Sequence, residues 1–212
     1  MLLWIIYILL IISNLTVAIV RWRQLRTPLK ILFGLLAWVL IVELLRRYCD
    51  EKWKPLLTHL NISTEILFQF SYFRMLLHKR KYPVLLGGII FFYTALFLAW
   101  YTEHDFFMHS YFLDGVFMDL CITLWTGLFF YELIQKPLQY NINRDGNFWV
   151  NCGNILYYPG TLLLFGLNSY MKNVSPDLWD RLRPLNYGLN LTIYALYLLA
   201  FLMDRKRKPK ML

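Results

Sequence analysis

Seven runs of about 20 predominantly apolar residues, the length that crosses about 30 Å of hydrocarbon, fill nearly all of this chain. They lie at Leu2 to Val20, Leu29 to Leu45, Leu56 to Leu77, Val84 to Tyr101, His109 to Ile134, Phe148 to Tyr170 and Leu182 to Met203. With 58% of its 212 residues hydrophobic and 18% aromatic, a water-soluble domain would lack the polar side chains to cover itself. The expectation is an all-α polytopic membrane protein: a single seven-transmembrane-helix bundle over residues 1–204 and a short basic tail over 205–212. The third run is the least apolar, because it holds His59, Asn61, Glu65 and Gln69. The alternation of loop charge makes more sense with it than without it.

The formal net charge is +9. In a soluble protein that excess would suggest nucleic acid, but here the positive residues flank the spans and read as topology signals. Fifteen of the 22 Lys and Arg fall on one side, in the clusters Arg21–Lys30, Arg74–Lys81, Lys136 with Arg144, and Arg205–Lys210. That side is expected to be cytoplasmic, placing the amino end outside and the carboxyl end inside. The loop after the second span, with Arg46, Arg47, Lys52 and Lys54, runs against the rule and is partly offset by Asp50 and Glu51. No Lys or Arg precedes the first run and no small-x-small site follows it, so it reads as a span rather than a cleaved signal. Cys49, Cys121 and Cys152 follow no metal or redox spacing, and no structural disulfide is expected. The basic tail is expected to fix topology and touch anionic lipid.

Polar residues enter the spans in a pattern. In the sixth, Asn147, Asn151, Asn154, Tyr158, Thr161 and Asn168 follow one another at steps of four, three, four, three and seven residues. That spacing draws one stripe along a helix face. Amides aimed at lipid would go unsatisfied, so the stripe must face the bundle interior, either as interhelical hydrogen bonding or as the lining of a pocket. The third span places Asn61, Glu65 and Gln69 at four-residue steps. The fifth offers Asp119, Thr123 and Thr126, with Asp114 nearer the outside, and the seventh Asn186, Asn190, Tyr194 and Tyr197. At about 1.5 Å per residue, Glu65 and Asp119 both fall near the middle of their spans. A carboxyl there costs about 2.5–3.5 kcal/mol on insertion scales, and no Lys or Arg stands at matching depth to pair with it. At least one of the two is expected to keep its proton at neutral pH. The alternatives are a shared proton- or cation-sensitive site and two acids hydrogen-bonded separately. The candidate ligand-binding residues are Glu65, Asp119, Asn61, Gln69, Asn151, Asn154, Tyr158 and Asn190.

Pro159-Gly160 lies in mid-span, where such a pair is expected to kink or locally unwind the helix, as a packing bend or as a hinge. The other prolines of the spans and loops, including Pro28, Pro55 and Pro184, are expected at helix ends. Glu43 with Arg46 and Arg47, and Glu132 with Lys136, read as local pairs near span ends.

His59, His104 and His109 gather on the expected outer side with Glu103 and Asp105. They read as a hydrated or headgroup-facing rim; a zinc site drawn from the same histidines is the alternative. His78 belongs to the inner basic collar. Ceramidase-like membrane hydrolases take zinc-binding histidines from their last helix, and microbial rhodopsins attach retinal to a lysine there. Neither residue type occurs between Leu182 and Met203. No nucleophile elbow, HExxH or phosphate loop is present. The residues point to no catalytic group and no cofactor, with an intramembrane enzyme kept as an alternative.

Phe148, Trp149, Gly153, Tyr157 and Gly160 follow a pattern FW-x-x-x-G-x-x-x-Y-x-x-G. This segment resembles one common in small seven-helix inner-membrane proteins of Bacteroidota-type bacteria. The resemblance covers mainly the sixth span and brings no catalytic residue with it. It implies a bacterial inner-membrane protein, with a sensory module working beside a separate histidine kinase as one role. The expectation is therefore a receptor- or sensor-type protein with output through a separate signalling partner. A small proton- or cation-coupled transporter is the alternative, and an intramembrane metal-dependent hydrolase a further one. The partners expected are the lipid bilayer and that signalling protein, without nucleic acid.

Overall fold

Short breaks divide the apolar runs into helices. In the computed structural model, which describes residues 2–102, 111–135, 142–166 and 176–204, seven α-helices are found: α1 (Leu2–Val20), α2 (Thr27–Tyr48), α3 (Lys54–Leu76), α4 (Tyr82–Thr102), α5 (Tyr111–Ile134), α6 (Gly146–Gly166) and α7 (Pro176–Met203). Pro28 and Pro55 stand in the first turns of α2 and α3, where a missing N–H costs nothing. Asp145 caps α6, its carboxylate accepting the N–H of Asn147 at 2.9 Å; this is why the helix starts at Gly146, ahead of the expected Phe148. Two expectations need correction. Pro184 lies inside α7, which begins at Pro176. α6 is also one continuous helix through Pro159, without the local unwinding expected there. The segments 103–110, 136–141 and 167–175 and the basic tail 205–212, with His104, His109, Lys136 and Asn168, lie outside the described residues.

Among the described residues, five helical stretches are long and apolar enough to cross a membrane: Leu3–Val20, Thr27–Tyr48, Lys79–Tyr101, Leu113–Ile134 and Pro184–Met203. The two others, α3 and α6, are the ones that carry most of the interior amides. The helices close into a ring in the order α1, α2, α3, α5, α6, α7, with α7 returning to α1, while α4 flanks the seam between α3 and α5. Large apolar side chains such as Leu9, Ile19, Ile90, Phe97, Leu124 and Leu163 stand on the outside of the ring. The inside holds Asn14, Gln69, Asp119, Asn147, Asn151 and Asn154, all buried. An apolar coat over a polar interior is compatible with an integral membrane protein, since lipid can wet the coat and water cannot.

The most extensive packing joins α6 to α7, and the sequence shows why. Gly146, Gly153 and Gly160 recur at seven-residue steps and all face α7. A Cβ at Gly146 would meet the carbonyl oxygen of Ala200 at 2.7 Å, one at Gly153 the side chain of Ile193 at 3.3 Å, and one at Gly160 the end of Leu189 at 2.8 Å. Small residues at such a seam let two backbones approach closely. On the other side of α7, Asn14 of α1 donates to the backbone oxygen of Tyr194 at 2.9 Å.

Candidate functional site

The polar stripe of α6 faces inward along its described length: Asn147, Asn151, Asn154, Tyr158 and Thr161 are all buried. Its centre is Tyr158. The phenol donates to Glu65 Oε1 at 2.7 Å and accepts from Gln69 Nε2 at 2.9 Å. One α6 hydroxyl therefore gathers two residues of α3 that stand one turn apart. Below it, Asn151 donates to the Tyr72 hydroxyl at 3.1 Å, and that hydroxyl reaches Asn147 Oδ1 at 3.5 Å. Asn154 accepts from Tyr197 of α7 at 2.7 Å. Thr161 lies beside Asp119 of α5, whose carboxyl is within electrostatic reach of Glu65. Asp119 is 2% exposed, and its Oδ2 has no hydrogen-bond partner among the described residues.

Of the candidate residues, Glu65, Asp119, Gln69, Asn151, Asn154 and Tyr158 thus meet in one interior between α3, α5 and α6. Asn61 sits one turn before Glu65, half-buried, its Oδ1 buried and without a partner among the described residues. Asn190 stands apart. Its amide closes on the oxygens of Asn186 in its own helix, at 2.9 and 3.3 Å. Pro159 and Gly160 follow Tyr158 directly, so the residue that binds Glu65 is next to the proline.

Two arrangements were not legible in the sequence. His59, expected on a hydrated rim, is instead buried at 3% exposure. Its Nδ1 lies 2.6 Å from Asp114 Oδ2, tying α3 to α5. Burial of both partners is possible because each supplies the other's hydrogen bond. A double-mutant cycle of His59→Ala and Asp114→Ala, read from thermal unfolding in detergent, is expected to give a coupling energy of about 1–3 kcal/mol. A value near zero would mean that the two side chains are held independently. Among the described residues no group of three or more His, Cys, Asp or Glu is placed to hold a metal ion.

The second arrangement closes the opposite end of the ring. Arg26, just before α2, forms ion pairs with Asp145 at the start of α6 and with Asp204 at the end of α7. Its Nε donates to Asp204 Oδ1 at 2.7 Å and its backbone N–H to Oδ2 at 3.0 Å. Asp204 is fully buried. Burial works against the charge on Arg26, but the hydrogen bonds and charges of the two aspartates more than restore it, so its pKa lies above the ordinary arginine value. Arg21 adds hydrogen bonds to the last carbonyl oxygens of α7, at 2.7 Å to Phe201 and 3.0 Å to Asp204, where cations suit the helix dipole. Glu43 and Arg46 pair at 3.3 Å as expected. Glu132, expected to pair with Lys136, accepts the backbone N–H of His78 at 3.2 Å. Comparison with protein-family models, with curated proteins and with solved structures finds no match for this chain.

Proposed function

We propose that this chain is an integral membrane receptor or sensor whose seven helices all cross the bilayer, amino end outside and carboxyl end in the cytoplasm. In this reading the interior around Glu65, Asp119 and Tyr158 holds the ligand, and a separate signalling protein takes the output. The observation that carries it is the position of Tyr158. A ligand competing for Glu65 acts directly on the α6 residue that precedes Pro159. From there, polar groups continue toward the Arg26–Asp145–Asp204 cluster in two runs, Gln69 bonded to Tyr158 and then Asn151, Tyr72 and Asn147 ending on Asp145. That cluster lies among the basic loops, the end assigned to the cytoplasm by their charge. The apolar exterior and the five long apolar helices support the membrane setting. The pattern from Phe148 to Gly160 supports a bacterial inner membrane.

The same line of polar groups favours a second reading, a small proton- or cation-coupled transporter, because groups able to relay a proton stand in sequence along it. The two are separated by access. A receptor opens its site to one face, and a transporter opens it to both in turn. An Asn61→Cys variant in which Cys49, Cys121 and Cys152 are replaced by alanine is expected, in sealed proteoliposomes, to react with a membrane-impermeant maleimide from the outer face alone. With a pH gradient applied, the parent chain is expected to show no flux that depends on Glu65. Proton or cation flux lost in Glu65→Gln would replace the receptor reading with the transporter.

A further inference from the structure

We propose that the interior around Glu65 and Asp119 binds an organic cation carrying N–H donors, a primary ammonium rather than a metal ion or a neutral solute. The inference rests on the ligand site proposed above and names the chemistry of its occupant. Hydrogen-bond bookkeeping comes first. Tyr158 has one hydroxyl proton, and it goes to Glu65. With Glu65 ionised, Gln69 donates to Tyr158, which leaves its carbonyl Oε1 as a buried acceptor without a partner among the described residues. Asn61 Oδ1 and Asp119 Oδ2 are left in the same condition. The atoms on these stretches of α3 and α5 that lack partners are thus oxygens able to accept, of which the Thr123 hydroxyl alone can also donate. The nearest orphan donor on α6, Asn154 Nδ2, lies a turn further along the helix. Buried acceptors call for donors, and an –NH₃⁺ group brings three with no acceptor of its own.

Charge points the same way. No Lys or Arg lies in the middle of any described helix, and among the described residues no cation is paired with these two carboxyls. Asp119 is the decisive group: nine-tenths and more buried, within reach of Glu65, and with an oxygen that no described side chain satisfies. Rings complete the picture. Tyr158 touches Glu65 directly, and Tyr157 and Tyr194 lie within electrostatic reach of it. Tyr157 and Tyr158 meet edge to face at 5.1 Å, as do Tyr7 and Tyr194 at 5.3 Å. Tyrosine faces attract organic cations. A divalent metal would want several ionisable ligands at once, and the described residues form no group of three or more.

In this proposal the ligand enters from the α2–α3 end. Glu65 is half-buried rather than sealed. Glu43, in the last two turns of α2, lies within electrostatic reach of both Tyr7 and Tyr194. A cation entering there meets Glu43 first, then the tyrosines, then Glu65 and Asp119.

The test uses the full chain in nanodiscs and four probes of similar size: n-butylammonium, tetramethylammonium, 1-butanol and butyrate, with sodium chloride matching ionic strength. Saturable stabilisation in thermal unfolding by n-butylammonium is expected, weaker stabilisation by tetramethylammonium, which lacks N–H, and none by the others. Glu65→Gln keeps an oxygen to accept from Tyr158 and is expected to weaken n-butylammonium binding about tenfold or more. Asp119→Asn provides the same test independently should the first variant fold poorly. Stabilisation by 1-butanol or butyrate that Glu65→Gln abolishes would overturn the ammonium assignment and leave the ligand site standing. n-Butylammonium binding untouched in both variants would overturn the assignment and the site together. No response to n-butylammonium at all would also overturn the assignment, and the Asn61→Cys labelling would then decide the site separately.

Discussion

Arg26→Ala is expected to destabilise the chain by about 3 kcal/mol, toward the lower end of what removing one partner of a buried ion pair costs. The lower end applies because solvent reaches part of the Arg26 side chain, 32% of it exposed, whereas Asp204 has no exposure at all. The loss is not confined to one contact. Arg26 holds three chain segments: the turn before α2, the cap of α6 and the end of α7. Without it, the carboxylates of Asp145 and Asp204 face each other's charge with no cation between them. Adding Asp204→Asn to the Arg26→Ala variant is therefore expected to recover a large part of the stability. Arg26→Lys is expected to recover less, since an ammonium cannot present the guanidinium's planar fork to two carboxylates. Unfolding midpoints of the single and double variants in detergent check this. Strictly additive losses from Arg26→Ala and Asp204→Asn would show that the cluster is not a coupled unit.

Gly146→Ala is expected to cost about 1–3 kcal/mol, the range for forcing atoms into a well-packed interior. The new methyl would lie 2.7 Å from the Ala200 carbonyl oxygen and 2.9 Å from Asp204 Cβ. The first is backbone and cannot rotate away. Gly153→Ala is expected to cost less, because its nearest neighbour is a side chain at 3.3 Å. Gly87→Ala, where no atom lies within 4 Å, is expected to be neutral or to stabilise by up to about 1 kcal/mol through helix propensity. The same thermal unfolding series reads all three, and the proposed close contact of α6 with α7 fails if the order of Gly146 and Gly87 is reversed.

Legibility in the sequence followed the range of each interaction. The stripe from Asn147 to Thr161 could be read because its members are three and four residues apart on one helix, and the coordinates place every one of them inside. The tie between Glu65 and Tyr158 spans 93 residues; depth suggested that a carboxyl and a phenol could meet, but not which. Asn190 shows the converse. Both it and Asn151 donate to the backbone oxygen four residues back, but the second acceptor of Asn151 is Tyr72 on a neighbouring helix, whereas that of Asn190 is Asn186 on its own. His59 was misplaced because its partner Asp114 stands 55 residues away, and a histidine in the second turn of a span looks like rim chemistry. The Arg26 cluster was hidden for another reason. Its cation was absorbed into the topology count, and the role of Asp145 shows only once helix starts are known.

The seam of glycines has a mechanical consequence. Gly160 immediately follows Pro159 and seats against Leu189, while Gly153 and Gly146 seat further along against Ile193 and Ala200. The two halves of α6 are thereby fastened to α7 on either side of the proline. Flexing at that point cannot be absorbed by α6 alone. The pair must bend as a laminated beam, which ties any motion at Pro159 to α7.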